Sequence, residues 1–264
     1  RWLQTNHDDN QSSFTQMSEN TLVPVKIIVS TDEALRSRIA VATNLQTAIL
    51  KSDIQASTQK AKEVEEYFNN TGDFGLRYER QKGEEVTQNV AQTRVFTTEA
   101  LNRAVASAAF GDAHTATTNP KQLTEEDSYI WTSANPVELY FYSAWILYQI
   151  DTYFRRPSED SVVKVCKYYI ATIVSAALND RLRATFLNSD SNEQRIRTVQ
   201  RMKRKDFKID DAQTEKIRGL IREACETTRA FFAETLADGK SLKKDNVRRG
   251  STQKDLLHEF FESR

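Results

Sequence analysis

Residues 135–155 carry the sequence NPVELYFYSAWILYQIDTYFR, which contains the most apolar run of the chain. Asn135 is a helix-capping residue type, Pro136 suits the first helical position, and Glu138 places an acid in the first turn. Apolar side chains then occupy every face of the predicted helix, whereas a surface helix keeps one polar face. The apolar run is shorter than the ~20 residues that a membrane helix needs. The stretch therefore predicts a central core helix from Pro136 to Arg155, and no membrane partner.

Helical patterns continue on both sides of this core helix. Apolar residues recur at intervals of three and four, which places them on one face of a helix. The chain has only 7 Gly and 4 Pro, and this scarcity favours helices over a turn-rich β fold. The patterns predict helices over 53–70, 97–111, 159–178, 191–208, 211–237 and 256–261, with polar connections over 112–127 and 240–252.

Strand-like patterns are confined to the first third of the chain. Val23–Val29 alternates as a buried strand, and Ser30 with Glu33 has the spacing of a capping box that opens a following helix. Leu76–Arg80 predicts a second strand, which a turn at Lys82-Gly83 would join to a return strand ending near Val95. The predicted fold class is therefore α+β and predominantly α-helical. We expect a small strand-containing region at residues 1–96, followed by a helical domain at 97–264.

Charge and cysteine content limit the classes of partner and compartment. Lys plus Arg and Asp plus Glu both number 37, so the whole chain has no net charge that would attract nucleic acid or membrane. Any such binding must come from local charge asymmetry. Cys166 and Cys225 both lie in apolar helical patterns, which predicts buried free thiols rather than a disulfide. A reduced, cytoplasmic location is the expectation that follows.

Three segments in order resemble the AIPR family, the abortive-infection phage-resistance proteins of bacteria. They are Val23–Val29, then Ala42-Thr43-Asn44-Leu45-Gln46-Thr47, then Tyr78-Glu79-Arg80. Asp112–Ala116 is similar to a further family element, and the resemblance covers roughly Gln4 to Arg155. It implies a role in bacterial defence against phage. It also implies that this chain is the C-terminal portion of such a protein, truncated at its N-terminus.

Uncharged polar residues are the first candidates for ligand binding. Asn44, Gln46 and Thr47 follow a predicted helix, where amides and hydroxyls can orient a phosphate or a base. The same side chains can instead cap neighbouring helices, and both interpretations stay open. Gln4 and Thr5 enter through the resemblance, since the family has Gly-x-Gln-Thr here; in this chain Trp2 replaces the glycine.

Two groups of cations are further candidates. Arg80 could bind an anion with its two-pronged donor set, or pair across strands with Glu84 or Glu85. A basic segment from Arg195 to Lys208 contains only one acid, Asp206. Such a segment could follow a phosphate backbone, or be a solvated face neutralised by acids near the start of the next helix. The nucleic-acid candidates within it are Arg197, Arg201, Arg204 and Lys205.

Catalytic patterns are weak, so whether the chain is an enzyme stays open. His7, His114 and His258 lack metal-ligand spacing, and no glycine-rich phosphate loop or Gly-x-Ser-x-Gly element occurs. We expect no metal and no cofactor. The favoured function is recognition of nucleic acid or a nucleotide within an anti-phage defence protein. The alternative is a structural helical module that supports an upstream nuclease-like domain, and homo-oligomerisation is left open.

Overall fold

The computed structural model describes residues 31–36, 51–71, 74–80, 94–125, 127–155, 165–189, 191–232 and 252–262. Contacts divide the chain into two compact units, Arg1–Asn44 and Leu45–Arg264. The predicted boundary at 96/97 falls inside the second unit, within a strand, and that division of the chain stays a prediction.

The described part of the first unit is one helical turn at residues 33–36. Asp32 caps this turn, because its Oδ1 accepts a hydrogen bond from the N–H of Leu35 at 3.1 Å. The predicted cap, Ser30, lies outside the described residues, as does the predicted strand Val23–Val29.

The second unit is predominantly helical with one small sheet, which confirms the predicted α+β class. Its elements in chain order are α1 (Lys51–Ala56), α2 (Gln59–Asn70), β1 (Arg77–Glu79), β2 (Val95–Thr97), α3 (Thr98–Ala104), α4 (Ala113–Thr118), α5 (Val137–Phe154), α6 (Lys167–Leu178), α7 (Asp180–Asn188), α8 (Asn192–Gln200), α9 (Asp211–Phe231) and α10 (Thr252–Glu262). A π-helical turn, Val105–Ala109, continues α3, and 3-10 turns lie at Pro120–Thr124 and Arg204–Phe207. Within the described ranges, none of the helices combines the length and the apolarity that a bilayer crossing requires.

Helix α5 is the core helix that the sequence predicted. It buries 12 of its 18 residues, and Tyr140, Tyr142 and Trp145 are completely buried. Helix α6 buries the same share, 8 of 12 residues, so these two helices form the centre of the described core.

The start of α5 differs from the prediction. Pro136 is its N-cap residue and makes no side-chain capping bond. Asn135 is buried and instead donates from Nδ2 to the carbonyls of Tyr129 (2.9 Å) and Ile130 (2.6 Å). The asparagine therefore closes the preceding loop on itself rather than capping the helix.

The sheet consists of β1 and β2 in parallel, with Tyr78 opposite Phe96. The pairing of these two strands is therefore not that of a hairpin. The predicted turn at Lys82-Gly83 and the return strand expected to end near Val95 lie almost entirely outside the described residues. Tyr78 stacks on Trp131 at 5.7 Å between ring centroids, and Trp131 stacks on Tyr140 of α5 at 4.9 Å. These three stacked rings pack the sheet against the core helix α5.

Two hydroxyl residues divide the helix that was predicted over 53–70. Thr58 donates to the carbonyl of Gln55 at 2.8 Å, and its Oγ1 accepts from the N–H of Ala61 at 3.2 Å. Ser57 donates to the carbonyl of Ile54 at 2.7 Å. These bonds end α1 and cap α2, so two helices replace one.

The predicted polar connection over 112–127 contains α4 and a 3-10 turn. Asp112 caps α4 by accepting from the N–H of Thr115 at 3.2 Å. Gly111, with φ of 58°, separates α4 from the preceding π turn. The polar composition predicts a loop here, but the polar residues sit at helix ends, where they satisfy backbone groups.

The π turn, Val105–Ala109, is completely buried against α6. Thr172 Oγ1 donates to the carbonyl of Ser107 at 2.8 Å, and Ser175 Oγ donates to that of Ala108 at 2.5 Å. The altered ladder of a π turn leaves carbonyls that need such donors. The hydroxyls of Thr172 and Ser175 on α6 therefore donate to two of the carbonyls of the π turn.

Candidate nucleic-acid interface

The basic segment, which was predicted as one continuous helix, consists of a helix, a turn at Arg201 and a separate 3-10 turn. Ser191 caps α8 as predicted, with Oγ accepting from the N–H of Gln194 at 3.2 Å. Helix α8 ends at Gln200, and a 3-10 turn follows at Arg204–Phe207. The expected continuous helix to Lys208 is therefore wrong.

Burial of two apolar residues explains the break. Met202 and Phe207 are both buried, at 6% and 2% exposure. Residues five apart on an α-helix point in directions about 140° apart, so a continuous helix would expose one of them. The chain turns instead, and Phe207 packs edge-on against Tyr142 of α5 at 5.9 Å between centroids.

The break leaves exposed cations on α8, on the turns and at their end. We call these side chains the basic surface: Arg197, Arg201, Lys203, Arg204, Lys205 and Lys208. All four predicted nucleic-acid candidates belong to it. The structure therefore places them in one exposed segment, although it builds that segment differently from the prediction.

Two members of the basic surface have acidic partners. Arg197 pairs with Glu193 at 2.5 Å, and both side chains are largely exposed. Arg204 Nε lies 3.9 Å from Glu138 Oε1, at the start of α5. The other four cations form no ion pair with any residue that the structure describes.

Neutralisation by acids near the start of α9 was one of the two interpretations that the sequence left open for this segment. Asp210 instead caps α9, with Oδ1 accepting from the N–H of Gln213 at 2.7 Å. Arg197 and Arg204 find their acids on α8 and α5. The cationic character of the basic surface is therefore largely preserved among the described residues.

Arg195 belongs to the same sequence run but faces the interior. Its Nη2 donates to Asn192 Oδ1 at 2.8 Å, and its Nε is buried without a partner among the described residues. Burial lowers the pKa of Arg195, while the nearby Asp112 and Tyr129 act to raise it. The sequence missed this buried cluster, and the only signal was the family-like segment at 112–116.

Arg80 forms an ion pair, which is one of the two interpretations that the sequence left open. Its partner is Glu65 and not the predicted Glu84 or Glu85. The Nε of Arg80 donates to Glu65 Oε2 of α2 at 3.0 Å. A second donor, Nη1, lies 3.5 Å from the carbonyl of Ala56. Binding of an external anion by Arg80 stays a prediction.

The remaining ligand candidates are Gln4, Thr5, Asn44, Gln46 and Thr47, and all lie outside the described residues. In the part of the chain that is described, no group of three or more His, Cys, Asp or Glu could hold a metal ion. Cys166 and Cys225 are buried free thiols, as predicted, and burial raises the pKa of Cys166 to about 12.

Comparison with known families identifies the class of protein. The family described as AIPR protein matches residues 4–235, which is most of the chain. The chain therefore belongs to the AIPR family, and membership implies a part in abortive-infection defence against phage. No curated protein and no solved structure gives a significant match.

Proposed function

We propose that this chain contributes nucleic-acid recognition to an abortive-infection defence protein, through phosphate contacts made by the basic surface. The binding is independent of base sequence. Arg and Lys side chains are the usual donors to phosphate oxygens, and such contacts position a protein without reading bases.

The observation that carries this proposal is a concentration of cations without acidic partners. Arg201, Lys203, Lys205 and Lys208 are exposed, and none forms an ion pair within the described ranges. The pair of Arg197 with Glu193 is exposed on both sides, so it contributes only ~0.2–1 kcal/mol. A phosphate can therefore replace Glu193 at little energetic cost.

The apolar residues of the same segment argue for backbone rather than base contacts. Stacking on aromatic side chains is how single-stranded nucleic acid is usually held by its bases. Phe207 and Met202 point into the core, so the described segment offers cations but no aromatic platform. Duplex and single strands should both bind.

The alternative, a module that covers an upstream domain, would require a large apolar face. Among the described residues, the exposed large hydrophobic side chains are Leu35 and Phe231, at 42% and 36% exposure. They lie in different units of the chain. Isolated exposed apolar residues are ordinary on protein surfaces, so the described part of the chain does not favour this alternative.

The test is binding of duplex DNA across a salt series by the wild-type chain and the triple variant Arg201→Gln, Arg204→Gln, Lys205→Gln. Each phosphate neutralised contributes about −0.9 to the slope of log affinity against log salt, so removing three cations should flatten it by up to about 2.7. The matched control is Lys216→Gln, Arg218→Gln, Arg222→Gln, which removes three exposed cations from α9.

The control variant should keep the wild-type slope, because the four cations of α9 are offset by four acids on the same helix, Asp211, Glu215, Glu223 and Glu226. Absence of wild-type binding at low salt, or equal slopes for all three proteins, would contradict the proposal. A scrambled duplex should bind as tightly as any other duplex of equal length.

A further inference from the structure

The 3-10 turn of the basic surface contains one acid, Asp206, and its side chain is only 8% exposed. A carboxylate amid cations would ordinarily weaken the attraction for phosphate. Because the side chain of Asp206 is buried within the turn, we expect it to hold the turn in place rather than to act on a ligand from the surface.

Asp206 is bound from two sides. Its Oδ2 accepts from the N–H of Lys203 at 2.8 Å and from Nη1 of Arg181 at 2.6 Å. Its backbone carbonyl accepts from Nδ2 of Asn179 at 2.7 Å. Asn179 is itself the cap of α7, so these bonds join the turn to the start of that helix.

The ionised form of Asp206 makes these bonds strongest. Burial alone would raise the pKa of Asp206, but the Lys203 N–H and the Arg181 guanidinium, with a smaller contribution from the charge of Lys205, hold it below its ordinary value. Asp206 is therefore anionic at neutral pH, and its charge is directed at Arg181 and the backbone rather than at solvent.

We infer that Asp206 is a positioning residue, whose carboxylate fixes the turn so that Lys203, Arg204 and Lys205 face a phosphate backbone. This inference rests on the proposed function. The three cations lie within three positions of Asp206, and one of them supplies the N–H that its carboxylate holds. Without the carboxylate the turn loses two charge-assisted bonds, and the backbone that carries these cations is no longer held in place.

Replacement of Asp206 should lower the affinity for nucleic acid, although the change in charge alone would raise it. Asp206→Ala adds one unit of positive charge to the basic surface, which by charge alone should strengthen binding. Loss of positioning should instead weaken binding and make the salt slope shallower by about 0.9 for each phosphate that the turn no longer neutralises. The matched control is Glu215→Ala, which removes one exposed carboxylate from α9 and should leave the slope unchanged.

Hydrogen exchange provides a readout that does not depend on nucleic acid. The amide of Lys203 should exchange faster in Asp206→Ala, while its overall melting transition stays cooperative. Should that variant fail to fold, Arg181→Lys keeps the charge but replaces the planar donor group, and should shift affinity and slope in the same direction to a smaller extent.

The outcomes separate the two proposals. If the wild-type chain binds DNA and Asp206→Ala binds as tightly or more tightly, the positioning role is overturned while the proposed function stands. If the wild-type chain does not bind at all, both are overturned. Weaker binding by Asp206→Ala with a shallower slope and a faster Lys203 amide supports the inference.

Discussion

Asp112 connects residues that are far apart in the sequence. Its Oδ2 accepts from the hydroxyl of Tyr129 at 2.7 Å and from Nδ2 of Asn192 at 3.4 Å, and its Oδ1 caps α4. Asp112 is 5% exposed, and the partly buried Arg195 lies nearby. A buried carboxylate is tolerated only when it is bonded on all sides, so this single side chain holds α4 and α8 to the core.

Removing Asp112 should therefore cost more than removing one of its donors. We expect Asp112→Ala to lower the free energy of unfolding by ~3–5 kcal/mol, since it removes the acceptor of three hydrogen bonds and a negative charge close to the partly buried Arg195. Tyr129→Phe removes one charge-assisted hydrogen bond and should cost about 1.5–3 kcal/mol. Urea denaturation measures both, with the exposed Glu226→Ala as control, and equal losses for all three variants would disprove the ranking.

At the scale of elements, α5 organises the described core. Trp145 is completely buried, and it contacts Phe74 at 6.0 Å and Tyr142 at 6.5 Å between ring centroids. Its indole N–H has no acceptor among the described residues, so its contribution is packing rather than hydrogen bonding. Large aromatic side chains dominate the stability of such cores.

Trp145→Ala should lower the free energy of unfolding by ~3–5 kcal/mol, as large-to-small changes in a core do. Thr152→Ala, on the exposed side of the same helix, should change it by less than ~0.5 kcal/mol. Denaturant melts of both variants test this, and a loss below ~0.5 kcal/mol for Trp145→Ala would show that α5 is peripheral.

The elements that sequence predicted well are those whose evidence is local. Helix α5 has apolar residues on every face, and α9 has a clear apolar stripe, although Phe231 at its C-terminal end is exposed. The parallel pairing of β1 with β2 depends on contacts between distant residues, which alternation within one strand does not encode. The break after α8 depends on the burial of both Met202 and Phe207, and the partner of Phe207 is Tyr142 on α5, which is far away in the sequence.

At the scale of the whole molecule, the described core contains several buried phenol groups. Burial raises the pKa of Tyr78 from its ordinary value of 10.0 to about 12. The pKa values of Tyr140, Tyr142 and Tyr169 are raised further, again chiefly by burial. The folded chain therefore keeps protons that the unfolded chain releases above pH ~10.

This difference determines the sign of the pH dependence. A raised folded-state pKa contributes stability that is fully present below the unfolded pKa and is lost as pH rises through the folded pKa. Each buried tyrosine should remove about 1.4 kcal/mol of stability per pH unit between ~10 and its folded pKa. Four such groups together remove about 11 kcal/mol over two pH units, which is comparable with the ~5–15 kcal/mol stability of an ordinary domain, so alkaline unfolding should occur within about two pH units above pH ~10.

The measurement is a pH titration from neutral to strongly alkaline, followed by far-ultraviolet circular dichroism and by tyrosinate absorbance. The two signals should change together for the buried tyrosines, because their ionisation requires unfolding. Tyr142→Phe removes one of these groups at the cost of two long hydrogen bonds, one donated to the carbonyl of Ser175 at 3.4 Å and one accepted from its Oγ at 3.4 Å. It should therefore reduce the steepness of the alkaline loss of stability. If buried tyrosines ionised while the helical signal stayed intact, the phenols would be accessible in the folded state, and the linkage between burial and alkaline unfolding would be wrong.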